Sequence, residues 1–145
     1  MCVSTRTAMG DSTRAAMRVV IAAIYAAAGV LHVLATDVFL QITPNWVPYP
    51  RELILITGLL QIVAAAALFT ERFRRPAAIA MAVYAICVWP ANFKHAIDGI
   101  DIAHVPSSWW YHGPRLALQP VIAWWALYAG RVIDWPFRRK SDAAS

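Results

Sequence analysis

The sequence predicts an all-α integral membrane protein, a four-helix bundle with its N-terminus and C-terminus cytoplasmic. Three observations carry that expectation. The chain is 60% hydrophobic and only 14% charged, too little polar material to coat a soluble domain of 145 residues. Its apolar residues fall into four runs, each near the roughly 20 residues that a bilayer crossing requires. Its basic residues alternate between the connections in a way that sets an orientation.

Residues 1–17 contain Arg6, Asp11 and Arg14 among Ser, Thr and Gly, with no apolar period, and read as a flexible cytoplasmic tail. The transmembrane domain is expected over 18–133, with spans at about 19–36, 53–70, 77–96 and 115–133. The first run is too long for the apolar core of a signal peptide, about 7–15 residues, and three further runs follow it. Between the first and second runs, Thr36-Asp37 can start a short interfacial helix carrying Val38, Phe39 and Ile42. Trp46 and Tyr49 suit the aromatic belt. Pro50 is pre-set for the first turn of the second long helix, and Glu52 suits that helix's positive end. Glu71 to Arg75 is a short basic turn that forces its flanking helices antiparallel. Residues 134–145 form a basic cytoplasmic tail. With the N-terminus inside, ten basic residues fall on the cytoplasmic side and three (Arg51, Lys94 and Arg115) outside.

The third run ends in Val88-Trp89-Pro90-Ala91-Asn92-Phe93-Lys94-His95. Pro90 removes a backbone donor and should kink the helix there. A lysine at mid-bilayer costs roughly 2.5–3.5 kcal/mol, so such groups persist where protein or water supplies partners. Depths from the helical rise of about 1.5 Å per residue put most intramembrane polar groups in the outer half. Tyr25, Gly29 and His32 share one helix face, as do Thr57, Gly58 and Gln61. Asn92 and His95 are three apart, and Arg115 and Gln119 are four apart. The expected site is therefore a polar chamber built by His32, Arg51, Glu52, Gln61, Asn92, His95, Arg115 and Gln119. Each amide or histidine also has a plain structural use as glue between helices. Arg115 opposes the dipole at its own helix start and needs an anion, for which Glu52 is the candidate.

Nucleic acid is disfavoured despite the net charge of +5, because the basic residues sit in short clusters between apolar runs. Cys2 and Cys87 lie far apart with no C-x-x-C, which disfavours disulfide exchange; Cys87 reads as a small filler in a helix. No metal site is expected: His95, Asp98, Asp101, His104 and His112 lack tight ligand spacing and read as a solvated loop. Haem between His32 and His95 is awkward, since their depths differ by about 9 Å.

The tracts AGVLH (28–32), TPNWVPYPREL (43–53), TG-LLQIVAAAAL (57–68), VWPANF (88–93) and RLALQPVIAWWAL (115–127) resemble the DoxX family of small bacterial membrane proteins. That resemblance spans about residues 25–128 and implies a four-helix membrane bundle in the bacterial inner (plasma) membrane. It also implies a membrane subunit or accessory of a redox system linked to quinone. Quinone carbonyls would find donors in His32, Gln61, Asn92 and Gln119 beside an apolar slot. The alternative is a non-enzymatic protein that binds or passes a small solute, or docks a partner. The expected partners are the lipid bilayer and either a redox partner protein or further copies of the chain.

Overall fold

The computed structural model describes residues 3–98 and 108–135. They form six helices: α1 (Val3–Leu34), α2 (Thr36–Ile42), α3 (Pro50–Ala67), α4 (Glu71–Cys87), α5 (Trp89–Ile97) and α6 (Trp109–Ala129), with no strand among the described residues. Three stretches are long and apolar enough to cross a membrane: Asp11–Leu34, Pro50–Ala67 and Glu71–Ile97. Their apolar windows are only 22%, 22% and 33% buried. Leu31, Leu34, Ile56, Leu59, Leu60, Val63 and Val83 all face outward. Water would penalise that surface, whereas acyl chains would not.

The fourth expected span differs from the other three. α6 has 21 residues, enough for a bilayer, but contains His112, Pro114, Arg115, Gln119 and Pro120. These residues keep it out of the set that qualifies by length and apolarity. It also starts at Trp109, six residues before the expected Arg115, capped by Ser108 Oγ accepting from the Trp110 N–H at 3.3 Å. The third span is two helices broken at Val88, with Pro90 in the first turn of α5. Proline lacks the donor and the clearance to continue α4, so α5 starts a new helix.

The expected tail over 1–17 is helical from Val3 onward, part of α1. Its described side chains are held by the far end of α6. Arg14 pairs with Asp134 at 2.9 Å and lies 4.3 Å over the Tyr128 ring. Arg131 pairs with Asp11 at 3.2 Å, and Arg18 Nε donates to the Ala129 carbonyl at 3.2 Å. Local propensity did not favour a helix here; these tertiary partners do. Of the basic tail expected over 134–145, residues beyond 135 lie outside the described set.

The start of α1, the α3–α4 turn and the end of α6 therefore meet at one end of the molecule. Arg75 Nε donating to the Arg131 carbonyl at 3.3 Å joins them. At the opposite end lie α2, the 43–49 connection, α5 and the start of α6. There Lys94 Nζ donates to the Thr43 carbonyl at 2.9 Å.

The core is made of small residues. Ala78, Ala126 and Ala129 are fully buried with Ile21, Leu68 and Met81. Small side chains let backbones approach, and dispersion between close helices replaces the missing hydrophobic drive in lipid. α1 and α3 approach closely, and a Cβ on Gly29 would lie 2.5 Å from the Gly58 carbonyl oxygen. Among the described residues, two non-glycine residues adopt positive φ, Tyr49 (47°) before α3 and Arg131 (60°) after α6. At Arg131 the left-handed turn lets the Val132 N–H close back to the Leu127 carbonyl at 2.9 Å, ending the helix.

Candidate functional site

A cavity of about 710 Å³ opens between α1, α3, the α4–α5 break and α6, toward the end that carries α2. That volume lies within the range of small-ligand pockets. α2 and the 43–49 connection contribute Phe39, Ile42, Thr43, Pro44, Trp46 and Val47 to its wall, and the start of α6 contributes Trp110, Tyr111 and Pro114. The wall is mostly apolar. Its polar points are few and come from separate helices.

Of the eight residues expected from the sequence, His32, Gln61, Asn92, Arg115 and Gln119 line this cavity. The helical faces read from residue spacing bring these five together because each helix must turn its amides and charges away from lipid. Arg51, Glu52 and His95 do not line it. Arg51 is exposed and pairs with Asp37 at 2.8 Å. Glu52 is exposed beside it on the first turn of α3. His95 is buried behind the wall, against Arg115.

The expected Glu52–Arg115 ion pair is not formed. The three ion pairs among the described residues are Arg14–Asp134, Arg51–Asp37 and Arg131–Asp11. Arg115 uses two neutral acceptors instead: Nη1 donates to His95 Nδ1 at 2.7 Å, and Nη2 donates to Asn92 Oδ1 at 2.5 Å. The i, i+3 spacing on α5 places both acceptors on one face, so they take the guanidinium together. Since a guanidinium can only donate, the His95 ring accepts at Nδ1 and carries its proton on Nε2. Arg115 is thus held in place without a carboxylate among the described residues, and it forms part of the cavity wall.

On the opposite wall His32 is fixed at both nitrogens. Nδ1 donates to the Ala28 carbonyl at 2.7 Å, so Nε2 accepts from the Tyr84 hydroxyl at 2.9 Å. Phe39 of α2 stacks on the His32 ring with centroids 3.9 Å apart, tying that helix to the chamber. Tyr84 lies on α4, midway between recognisable motifs, and sequence reading missed it. Deeper still, Gln61 is 3% exposed. It sits beside Tyr84, yet neither its Oε1 nor its Nε2 has a hydrogen-bond partner with good geometry.

The connection expected to be solvated is also revised in part. His112 is a residue of α6, 2% exposed, with its ring 4.8 Å from His95 and 5.2 Å from Tyr111. Neither of its ring nitrogens has a partner among the described residues. The Trp109-Trp110 pair, with Ser108 before it, was the available signal that the helix begins early enough to take His112 inward. Asp101 and His104 lie outside the described residues. Among the described residues, no group of three or more metal-ligating side chains comes together. Cys87, expected as helix filler, is exposed at the cavity wall.

Fold and site together define a helical protein with three helices suited to crossing a membrane and a largely apolar cavity containing one fixed cation. The chain belongs to the family described as a domain of unknown function, DUF8561, whose model matches residues 21–130, 110 of the 145 residues. This match overturns the resemblance to DoxX: the family matched over these same tracts is a different one. No curated protein and no solved structure matches the chain.

Proposed function

We propose that the protein is a multi-pass bacterial plasma-membrane protein that binds a small amphipathic organic anion in the outward-facing chamber, to hold it or to pass it on. In this reading α1, α3, α4–α5 and α6 are the four crossings of a bundle. Both termini are cytoplasmic, as supported by the ten-to-three distribution of basic residues and by the meeting of the α1 start, the α3–α4 turn and the α6 end. α6 crosses as the lining helix, with Arg115 and Gln119 at the cavity and Val121 turned outward.

One observation carries the choice of ligand. Arg115 presents a permanent cation to a mostly apolar cavity, steadied by Asn92 and His95, which accept hydrogen bonds but do not neutralise charge. A half-buried cation of this kind favours an anion with matching acceptors, and guanidinium recognises a carboxylate through two parallel hydrogen bonds. The apolar wall then favours an organic body over an inorganic ion. A quinone-linked redox role was implied by the DoxX resemblance and loses that support with it.

The test is calorimetric titration of the protein in lipid nanodiscs with hexanoate. Binding to the wild type that disappears in Arg115→Ala is expected. Equal binding by the variant, or no binding by either, overturns the proposal. Reporter fusions after Arg74 and after Ser107 should report opposite compartments, inside and outside respectively.

A further inference from the structure

A second cavity, of about 480 Å³, lies between α3 and α4 on the side away from α2. Its wall is almost wholly apolar, with Leu60, Val63, Ala64, Phe73 and Ala80 along it. Four residues belong to both cavities: Tyr25, Thr57, Gln61 and Tyr84. They stand between the two cavities, and the hydrogen bonding among them is uneven.

Three of the four polar groups are committed as donors. The Tyr25 hydroxyl donates to the Met81 carbonyl at 2.7 Å, that of Thr57 to the Leu53 carbonyl at 2.7 Å, and that of Tyr84 to His32 Nε2 at 2.9 Å. Gln61 is the exception, buried beside the Tyr84 hydroxyl with neither end of its amide in a well-aligned hydrogen bond. An unmatched buried amide costs several kcal/mol in an apolar setting, so a group that satisfies it gains more than its own hydrogen bonds. A purely apolar chain lying against these four residues would leave that cost in place. A group that donates to Oε1 and accepts from Nε2 would remove it, and one hydroxyl does both.

The separation of the two polar anchors follows from the helices. Asn92, which holds Arg115, is eight residues beyond Tyr84, which lies beside Gln61, giving at most about 12 Å across the break at Val88. We propose that the ligand is a fatty-acid-like anion with a mid-chain hydroxyl: its carboxylate on Arg115, its hydroxyl on Gln61, and its remaining tail in the slot between α3 and α4. This rests on the reading of the chamber as an anion site and names the class of anion. The slot borders the lipid-facing surfaces of α3 and α4, where Leu60, Val63 and Phe73 are exposed, so the tail reaches it from the acyl region of the bilayer.

The experiment compares binding of mid-chain hydroxyoctadecanoate, octadecanoate and hexanoate to the full chain in phosphatidylcholine nanodiscs. The wild type should prefer the hydroxylated chain over its parent by about tenfold, the worth of one satisfied buried group. Gln61→Leu, which removes an unmatched amide at similar volume and should therefore fold, should bind both long chains alike. Ala64→Phe fills the slot and should weaken both long chains while leaving hexanoate unaffected. No preference in the wild type, or a preference that survives Gln61→Leu, overturns the inference. Loss of long-chain preference with hexanoate binding intact and sensitive to Arg115→Ala sinks this inference alone. Failure of hexanoate binding sinks the chamber reading beneath it. Equal, Gln61-independent binding of both long chains would show an annular lipid tail in the slot, which also overturns the proposal.

Discussion

Gly29→Ala tests the packing on which the chamber depends. The added Cβ would meet the Gly58 carbonyl oxygen at 2.5 Å, Ile62 Cγ1 at 2.8 Å and Gln61 Cβ at 3.2 Å, against an ordinary contact of 3.4–4 Å. The nearest atom is backbone of the facing helix and cannot swing aside, so α1 and α3 must separate by about 1 Å. Overpacking of this kind costs about 1–3 kcal/mol. Alanine recovers about 1 kcal/mol of helix propensity over glycine. The expected outcome is a net loss of up to about 2 kcal/mol. Gly113→Ala is the matched control, because nothing lies within 4 Å of the Cβ it would add on α6. It gains at most about 1 kcal/mol of propensity, less whatever Pro114 takes back by crowding a Cβ on the residue before it. The propensity gain is common to both, so the two variants should differ by the overpacking cost, about 1–3 kcal/mol, in denaturant-titrated unfolding in mixed micelles, followed by circular dichroism. If Gly29→Ala proves as stable as Gly113→Ala, the glycine-to-glycine contact is not what sets the α1–α3 distance. The same contact positions the chamber wall: a Cβ on Gly58 would lie 2.8 Å from His32 Cβ.

Asn92→Leu removes the acceptor of Arg115 Nη2 and leaves a buried donor unmatched, an expected loss of about 1–3 kcal/mol of stability together with weakened hexanoate binding. Unfolding and titration of the same preparation check both outcomes, and an unaltered variant would show that Asn92 does not position the guanidinium. Glu52→Gln, at an exposed position away from the cavity, should change stability by less than about 0.5 kcal/mol. In a double-mutant cycle with Arg115→Ala the two effects should add within about 0.5 kcal/mol, and a larger coupling would mean that the pair forms after all.

The sequence by itself determined the helical class, the apolar stretches and the faces on which polar residues gather. These depend on composition and on a 3.6-residue period, both local properties. His32, Gln61, Asn92, Arg115 and Gln119 were legible as one cluster for that reason: an amide or charge on an apolar helix has few directions in which to point. The break before Pro90 was legible too, because a proline's missing donor is a property of the residue itself. Only the tertiary structure decided who meets whom. Glu52 and Arg115 have matching helix positions and opposite charges, yet α5 brings Asn92 and His95 to the guanidinium first while Asp37 takes Arg51. Residues 11–17 have no apolar period, but Asp134, Arg131 and Tyr128 at the end of α6 hold them in helix. His112 and Tyr84 gained their places the same way, from the register of α6 against α5 and of α4 against α1. That register is set by small residues packing backbone to backbone, and one chain's periodicity does not say which of its alanines and glycines will face each other.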